Sequence, residues 1–387
     1  MEKKTVYRTI SEIFEDVADV LEKGSLSRRI KVGLTVLGSE HGPQELINGA
    51  EMAQGKNQDL EVIIIGSGGK TNLKRVEADT EKEAHAIMDE MLQKGELEAA
   101  ATMHYSFPIG VATVGRVITP GKGREMYLAT TTGTSGTERT IAMLKNALAG
   151  IGAAKACGND NPTVGILNIE GARQVERALK ELAGQGYPIH FAESARADGG
   201  VVMRGNDLLA GVPDVMIMDS LTGNVLMKVF SAFSSGGNYE TLGYGYGPGL
   251  GENYDRIICI LSRASGAPVV AEALRYAADL AKGKVLEKVQ AEYAAARKAG
   301  WNELLSSLEL PAAMPQQGGE EITPPPAKPV TAEIPGIEIL ELEDAVQLLW
   351  KNQIYAESGM GCTGPIVMVA PEDKQISLEI LKENKYL

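Results

Sequence analysis

Residues 214–228 (DVMIMDSLTGNVLMK) join a short apolar run to a helical pattern through a polar turn. The run VMIM has the length of a buried strand, and the polar residues after it are typical of a helix start. A strand followed at once by a helix is the repeating unit of sheets built from parallel strands. This stretch therefore favours an α/β fold.

The same alternation continues on both sides of residues 214–228. Apolar runs predict strands at 31–37, 61–65, 163–169, 214–218 and 256–261. Helical patterns between them cover 45–53, 81–93, 137–149, 172–182 and 224–233. The pattern predicts a doubly wound, mostly parallel sheet with helices on both faces. Ligands bind such sheets at the carboxyl ends of the strands.

Four regions follow along the chain. Residues 1–30 predict an N-terminal helical extension, with its helix at 9–23, and residues 31–310 form the α/β domain, which ends in a helical stretch at 268–307. Residues 311–335 hold 7 of the 17 prolines and predict an extended linker. Residues 336–387 predict a short C-terminal segment in which a Gly-rich turn lies between a helix and a strand. The linker suggests that this segment moves relative to the domain.

Composition excludes several classes of function. Lys and Arg number 38 against 51 Asp and Glu among 387 residues, a net charge of −13 that disfavours nucleic acid and anionic membranes as partners. No apolar run approaches 18 residues, so we expect no membrane span and a cytoplasmic protein. Three Cys without a CxxC pair and four scattered His argue against a metal site.

Two polar turns are candidate anion sites because each leads into a helix, whose first amides and dipole attract negative charge. Their candidate ligands are Thr134, Ser135 and Gly136 in the first turn, and Asp219, Thr222, Gly223, Asn224 and Lys228 in the second. A Thr-rich helix cap and a polar turn with a solvated lysine are the structural alternatives.

Cys362 is the candidate nucleophile. It lies in the turn Gly361-Cys362-Thr363-Gly364, where small neighbours would leave the sulfur accessible and backbone N–H groups would lower the thiol pKa and support an oxyanion. A purely structural turn cysteine is the alternative. Cys259 falls in an apolar strand and should be inert, and any histidine partner of Cys362 would be distant in sequence.

Residues 234–251 are rich in Gly and carry Tyr239, Tyr244 and Tyr246. This composition argues against a core element. It predicts either a flexible lid or a surface that another chain covers.

Four stretches together resemble the phosphate acyltransferases of fatty acid and phospholipid synthesis. They are 37–43 (LGSEHGP), 162–169 (PTVGILNI), 206–211 (NDLLAG) and 219–228 (DSLTGNVLMK). Members of that family move acyl groups from a thioester carrier to inorganic phosphate. With the N-terminal helix and the terminal Gly361-Cys362-Thr363 segment, the sequence is similar over nearly its whole length to the component C alpha subunits of glycine/sarcosine/betaine reductase.

The second resemblance implies a specific chemistry. Component C takes a carboxymethyl group, bound as a selenoether to selenoprotein A, and forms an acetyl thioester on a cysteine, the position matched by Cys362. Inorganic phosphate then releases acetyl phosphate, and no bound cofactor is implied. The implied partners are selenoprotein A and the beta subunit of component C, in a hetero-oligomer. A stand-alone phosphate acyltransferase and a noncatalytic assembly subunit remain alternatives.

Overall fold

The computed structural model describes Phe14, Val17 and residues 29–196, 199–308, 323–335, 337, 342–361, 364–384 and 386–387. The predicted helix at 9–23, apart from those two residues, and residues 311–322 of the predicted linker lie outside this description. So do Cys362 and Thr363.

The α/β domain alternates strands and helices from Ile30 to Leu308. Its strands are β1 (Ile30–Thr35), β2 (Leu60–Ile65), β3 (Lys74–Val76), β4 (Ala99–Thr102), β5 (Val111–Ile118), β6 (Glu125–Thr134), β7 (Thr163–Leu167), β8 (His190–Phe191), β9 (Val202–Met203), β10 (Val215–Ile217), β11 (Gly247–Leu250) and β12 (Ile258–Ile260). Its helices are α1 (Pro43–Lys56), α2 (Glu81–Gln93), α3 (Arg139–Ala156), α4 (Ala172–Gly184), α5 (Gly205–Ala210), α6 (Ser220–Ala232), α7 (Ala267–Lys282), α8 (Val285–Lys298) and α9 (Trp301–Leu308).

The twelve strands form one mixed sheet in the order β3-β2-β1-β4-β12-β11-β5-β6-β10-β7-β8, with β9 also paired to β7. Strand β11 is antiparallel to both β12 and β5, and β5 is antiparallel to β6. The parallel strands therefore fall into two blocks that run in opposite directions. Strands β6 and β10 are parallel neighbours in the second block, so the two predicted anion turns lie at the same edge of the sheet.

Both faces of the sheet are covered, as the α/β prediction requires. Alternate residues of β6 point to different cores: Met126 and Leu128 to one, Tyr127 and Ala129 to the other. Helices α1, α3, α4, α7 and α8 contribute to the first core, and α2 and α6 to the second. The predicted fold class is confirmed.

Several elements differ from the prediction. Strands β4, β5 and β6 were not expected. Strand β4 (AAAT) lacks the β-branched residues that mark a strand, whereas β5 and β6 contain them and were still missed. The single helical stretch predicted at 268–307 is three helices, α7 to α9. Within the described ranges, no helix has both the length and the apolar character needed to span a bilayer.

The Gly/Tyr segment corrects the prediction that it lies outside the core. Its last residues form β11, a buried strand in the middle of the sheet. A Cβ at Gly247 would lie 1.8 Å from the carbonyl oxygen of Val114, so glycine is what permits this strand to approach β5. Tyr239 and Tyr244 donate to Glu45 and Glu125, each at 2.5 Å, and Tyr246 is buried.

The C-terminal segment is a small sheet covered by two helices. Strands β13 (Ala332–Pro335), β15 (Gly364–Val369) and β14 (Ala356–Gly361) pair antiparallel in that order, and α10 (Leu342–Lys351) and α11 (Lys374–Glu383) share their apolar core. The last four residues of the predicted linker thus belong to this sheet. The Gly-rich turn joins two strands, not a helix and a strand, because β14 was missed.

Helix α6 packs unusually close to β6. A Cβ at Gly223 would lie 1.6 Å from the carbonyl oxygen of Thr130.

We expect Gly223→Ala to lower the free energy of unfolding by about 1–3 kcal/mol or more, because the backbone of α6 or β6 must shift to make room for the methyl group. Urea unfolding checks this, with Gly184→Ala as the control, since nothing lies within 4 Å of a Cβ there. Equal midpoints for Gly223→Ala and the wild type would contradict the packing described.

Candidate functional site

The turn after β10 starts helix α6 with a carboxylate cap. Asp219 accepts hydrogen bonds from the Thr222 backbone N–H at 2.8 Å and from its hydroxyl at 3.1 Å. Gly223 is buried against β6, and Asn224 is half-buried on the next turn. Asp219 therefore stabilises the helix start that the sequence offered to an anion.

The turn after β6 is held from inside the protein. Thr134 ends the strand, and the buried Ser135 donates to the amide oxygen of Asn146 at 2.5 Å, while Asn146 donates to the carbonyl of Met218 at 3.2 Å. This chain of bonds ties the ends of β6 and β10 together through α3. Gly136 follows in the turn.

Helix α3 also begins with a carboxylate cap. Glu138 accepts from the backbone N–H groups of Thr140 and Ile141 at 3.0 and 2.7 Å. Carboxylates thus take first-turn amides at both predicted anion turns. The phosphate role of these residues remains a prediction, and any anion at this edge would meet Asp219 and Glu138.

Lys228 lies two turns into α6, where its ammonium contacts a carboxylate and not a helix start. Its ammonium lies 2.5 Å from a carboxylate oxygen of Glu240 and 2.8 Å from the hydroxyl of Ser262, and Glu240 also accepts from Ser265 at 2.9 Å. The Glu240 side chain is 1% exposed. Lys228 therefore neutralises a buried carboxylate next to the end of β12, which sequence reasoning did not anticipate.

The strands that flank Cys362 contact the α/β domain. Gly361 and Gly364, on either side of Cys362 and Thr363 in sequence, are paired Cα partners of β14 and β15. Met360 forms an antiparallel bridge with Phe107, and β14 also contacts β6. The Gly110 N–H donates to the carbonyl of Thr134 at 2.9 Å, so the segment bridged to β14 is attached to the end of β6.

A carboxylate of the C-terminal sheet strengthens this contact. Glu333 on β13 accepts from the hydroxyl of Ser106 at 2.9 Å and lies 3.6 Å from Nε2 of His104. Neither Ser106 nor Glu333 was identified from the sequence. Ser106 and Glu333 are 227 residues apart, and Glu333 lies in the predicted linker, so no local pattern signals the pair.

His85 joins a buried hydroxyl cluster at the ends of β1 and β4. Its Nε2 lies 3.0 Å from the Thr102 hydroxyl, which accepts from Thr35 at 2.7 Å. Burial, and then the neighbouring His104, lower the pKa of His85 below its usual value. His85 is therefore neutral near pH 7 and suited to hydrogen bonding.

Of the other two cysteines, Cys157 is half-buried and Cys259 is fully buried. Cys259 is fully buried in β12, as expected, and burial raises its pKa strongly. Burial also raises the pKa of Cys157 to about 11, against a smaller lowering by its hydrogen bond with Tyr127. Both thiols stay protonated near pH 7. In the part of the chain that the structure covers, no three His, Cys, Asp or Glu side chains converge to hold a metal ion.

The Lys228–Glu240 pair makes a testable contribution to stability. We expect Lys228→Met to lower the free energy of unfolding by about 1–3 kcal/mol, because it leaves a buried carboxylate without its cation. The double variant Lys228→Met/Glu240→Gln should recover most of that loss. Urea unfolding of the single and double variants measures the coupling. Strictly additive losses would show that the two groups do not depend on each other.

The lowered pKa of His85 predicts a loss of stability in mild acid. Below about pH 6.5, the usual histidine pKa, the unfolded chain binds a proton that folded His85 resists, so the free energy of unfolding falls as pH falls. His85→Gln keeps a hydrogen-bond donor to the Thr102 hydroxyl and removes the group that binds this proton. Urea unfolding between pH 7 and 5 should show a shallower decline for the variant. Parallel curves would contradict the assignment.

The chain is similar to a known protein family and to named relatives. Residues 30–368 match the family model described as fatty acid synthesis protein. The chain is 54% identical over 378 residues to the glycine/sarcosine/betaine reductase complex component C subunit alpha of Peptoclostridium acidaminophilum, covering 98% of both chains. It is 27% identical over 244 residues to a phosphate acyltransferase of Bacillus cytotoxicus, covering 51% of this chain and 70% of the relative.

A solved structure is also similar, a branched-chain phosphotransacylase from Enterococcus faecalis V583. The TM-score is 0.48 at 13% identity, and the match covers 65% of this chain and 99% of that one. On the family model and the identity over its full length, the chain belongs to the fatty acid synthesis protein family and to the family of the component C alpha subunit of glycine/sarcosine/betaine reductase.

Proposed function

We propose that this chain is the acetyl-carrying subunit of a component C, in which Cys362 forms an acetyl thioester and phosphate releases acetyl phosphate. The carboxymethyl selenoether of selenoprotein A is the proposed acetyl source, and a beta subunit is the proposed partner in a cytoplasmic hetero-oligomer. The observation that carries the proposal is the bridge between Met360 and Phe107. It holds the strand that ends at Gly361 against the domain, next to the end of β6.

The loading step balances without an outside oxidant. The carboxylate carbon forms a C–S bond with Cys362 and loses one oxygen as water. The C–Se bond breaks with its electron pair on the methylene carbon, which takes a proton to become the methyl group. The selenium is left oxidised and forms a Se–S bond with a thiol of selenoprotein A. Cys362 supplies the nucleophile in this scheme.

The release step is a simple acyl transfer. A phosphate oxygen attacks the thioester carbonyl, the C–S bond breaks, and the Cys362 thiolate leaves as acetyl phosphate forms. The Gly361 and Gly364 backbone would support the oxyanion together with Thr363. Thr134, Ser135, Gly136, Asp219, Thr222, Gly223, Asn224 and Lys228 remain the proposed phosphate and acyl contacts.

The carboxylates that cap α6 and α3 restrict where phosphate could bind. Asp219 and Glu138 oppose a doubly charged anion placed directly on the helix starts. A phosphate that used Lys228 would compete with Glu240 for its ammonium.

A trapping experiment tests the role of Cys362. The full-length chain is incubated with acetyl-labelled acetyl phosphate, and we expect hydroxylamine-sensitive label on the wild type and none on Cys362→Ala. Cys157→Ala is the matched control and should be labelled like the wild type, since the half-buried Cys157 thiol has a raised pKa and should not carry the acetyl group. Hydroxylamine cleaves thioesters but not amides, so sensitivity excludes acetyl-lysine, and loss of the label in Cys362→Ala assigns the bond to that sulfur.

Each competing function predicts a different result. A stand-alone phosphate acyltransferase would keep acyl transfer to phosphate in Cys362→Ala. A noncatalytic assembly subunit would leave the wild-type chain unlabelled. Label that survives Cys362→Ala would show that the acetyl group sits elsewhere.

A further inference from the structure

Residues 104–110, which we call the docking loop, belong to both parts of the chain. The Phe107 ring is buried on β11, so closely that a Cβ at Gly249 would lie 2.3 Å from it. The Tyr105 ring flanks it, with the two ring centroids 5.2 Å apart. Ile109 instead packs against the apolar core of the C-terminal sheet. The docking loop is therefore fixed to the α/β domain and to the C-terminal sheet at once.

The docking loop contacts both outer strands of the C-terminal sheet. Strand β15 is the middle strand, with β13 and β14 on either side of it. The Ser106 hydroxyl donates to Glu333 on β13 at 2.9 Å, and the next residue, Phe107, forms its bridge with Met360 on β14. A single attachment point would let the sheet pivot on the loop. Two points on opposite sides of β15 fix its orientation.

Glu333 points toward the docking loop because of its place in β13. The next residue, Ile334, is buried in the core of the C-terminal sheet, and successive residues of a strand point to opposite faces. Glu333 therefore lies on the other face, where it accepts from Ser106 and lies 3.6 Å from Nε2 of His104. A hydrogen bond to a carboxylate is roughly twice as strong as one between neutral groups. Glu333 thus supplies the stronger of the two polar attachments.

We infer that Glu333 is a positioning residue for acyl transfer at Cys362. The bridge at Met360 fixes the strand two residues before Cys362, and the contact of Glu333 with Ser106 fixes the angle at which the whole sheet meets the α/β domain. A reacting group misplaced by about 1 Å can lose a factor on the order of a hundred in rate. The inference rests on the proposed role of Cys362 and adds the group that orients it.

Single-turnover labelling of the full-length chain with acetyl-labelled acetyl phosphate tests the inference. Glu333→Ala should lower the first-order rate constant of Cys362 acetylation by about tenfold or more, because the sheet can then pivot. The half-saturating concentration of acetyl phosphate should stay within about twofold of the wild-type value, because Glu333 orients the sheet and does not bind the anion. Circular dichroism checks that the variant folds.

Glu357→Ala is the matched control. Glu357 and Glu333 are both Cα partners of Met368, so the two carboxylates lie on the same face of the same sheet. Glu357 accepts from the hydroxyl of Tyr355 at 2.8 Å, within β14 and the residue before it. Its removal should therefore leave the rate constant of acetylation unchanged.

Variants of the hydrogen-bond partner identify the contact. Ser106→Ala should also slow acetylation, and Ser106→Ala/Glu333→Ala should be no slower than the slower single variant, because both changes remove the same bond. Glu333→Gln keeps an oxygen that accepts from Ser106 and should be faster than Glu333→Ala. Losses that multiply in the double variant would show that the two residues act separately, which would contradict the inference.

Two further results would overturn the inference. One is equal rate constants for Glu333→Ala and Glu357→Ala. The other is a raised half-saturating concentration with an unchanged rate constant, which would assign Glu333 to anion binding. A wild-type chain without label on Cys362 would instead refute the proposed function. Amide hydrogen exchange then still tests the contact: residues 104–110 should exchange faster in Glu333→Ala than in Glu357→Ala, and equal exchange would refute the orienting role.

Discussion

The close packing of α6 on β6 is the constraint on which the rest of the site depends. A side chain at Gly223 would collide with the carbonyl oxygen of Thr130, so the helix can lie at this distance only with glycine there. That packing fixes Asp219 at the sheet edge and directs Lys228 to Glu240 beside the end of β12.

Electrostatics at this edge is set by carboxylates. Asp219 and Glu138 each cap a helix and interact favourably with its dipole, which stabilises the helix starts. The same negative charges disfavour the binding of a free anion at this edge.

Sequence predicted the parts of the fold that local patterns encode. Helix α2 has the predicted bounds, and the apolar run before Asp219 forms the predicted strand, but α6 begins at Ser220, four residues before the predicted start at 224. Strands β4 and β11 were not predicted, because Ala-rich and Gly-rich segments form strands only by pairing with neighbouring strands of the sheet. The contact between Ser106 and Glu333 also escaped, since two halves of it lie in unrelated segments. Local pattern thus suggested candidate site residues, which stay predictions, but could not give the contacts that bring the C-terminal sheet to the α/β domain.

The proposed phosphate contacts and Cys362 depend on different packing. Helix α6 packs Met227 and Phe230 on the sheet and approaches β6 at Gly223, so the Asp219 turn is held within the α/β domain. The C-terminal sheet instead contacts the segment from His104 to Phe107 and the strand β6. Movement of the strands that flank Cys362 would therefore break the contacts at Phe107 and Ser106 but would require no change in α6.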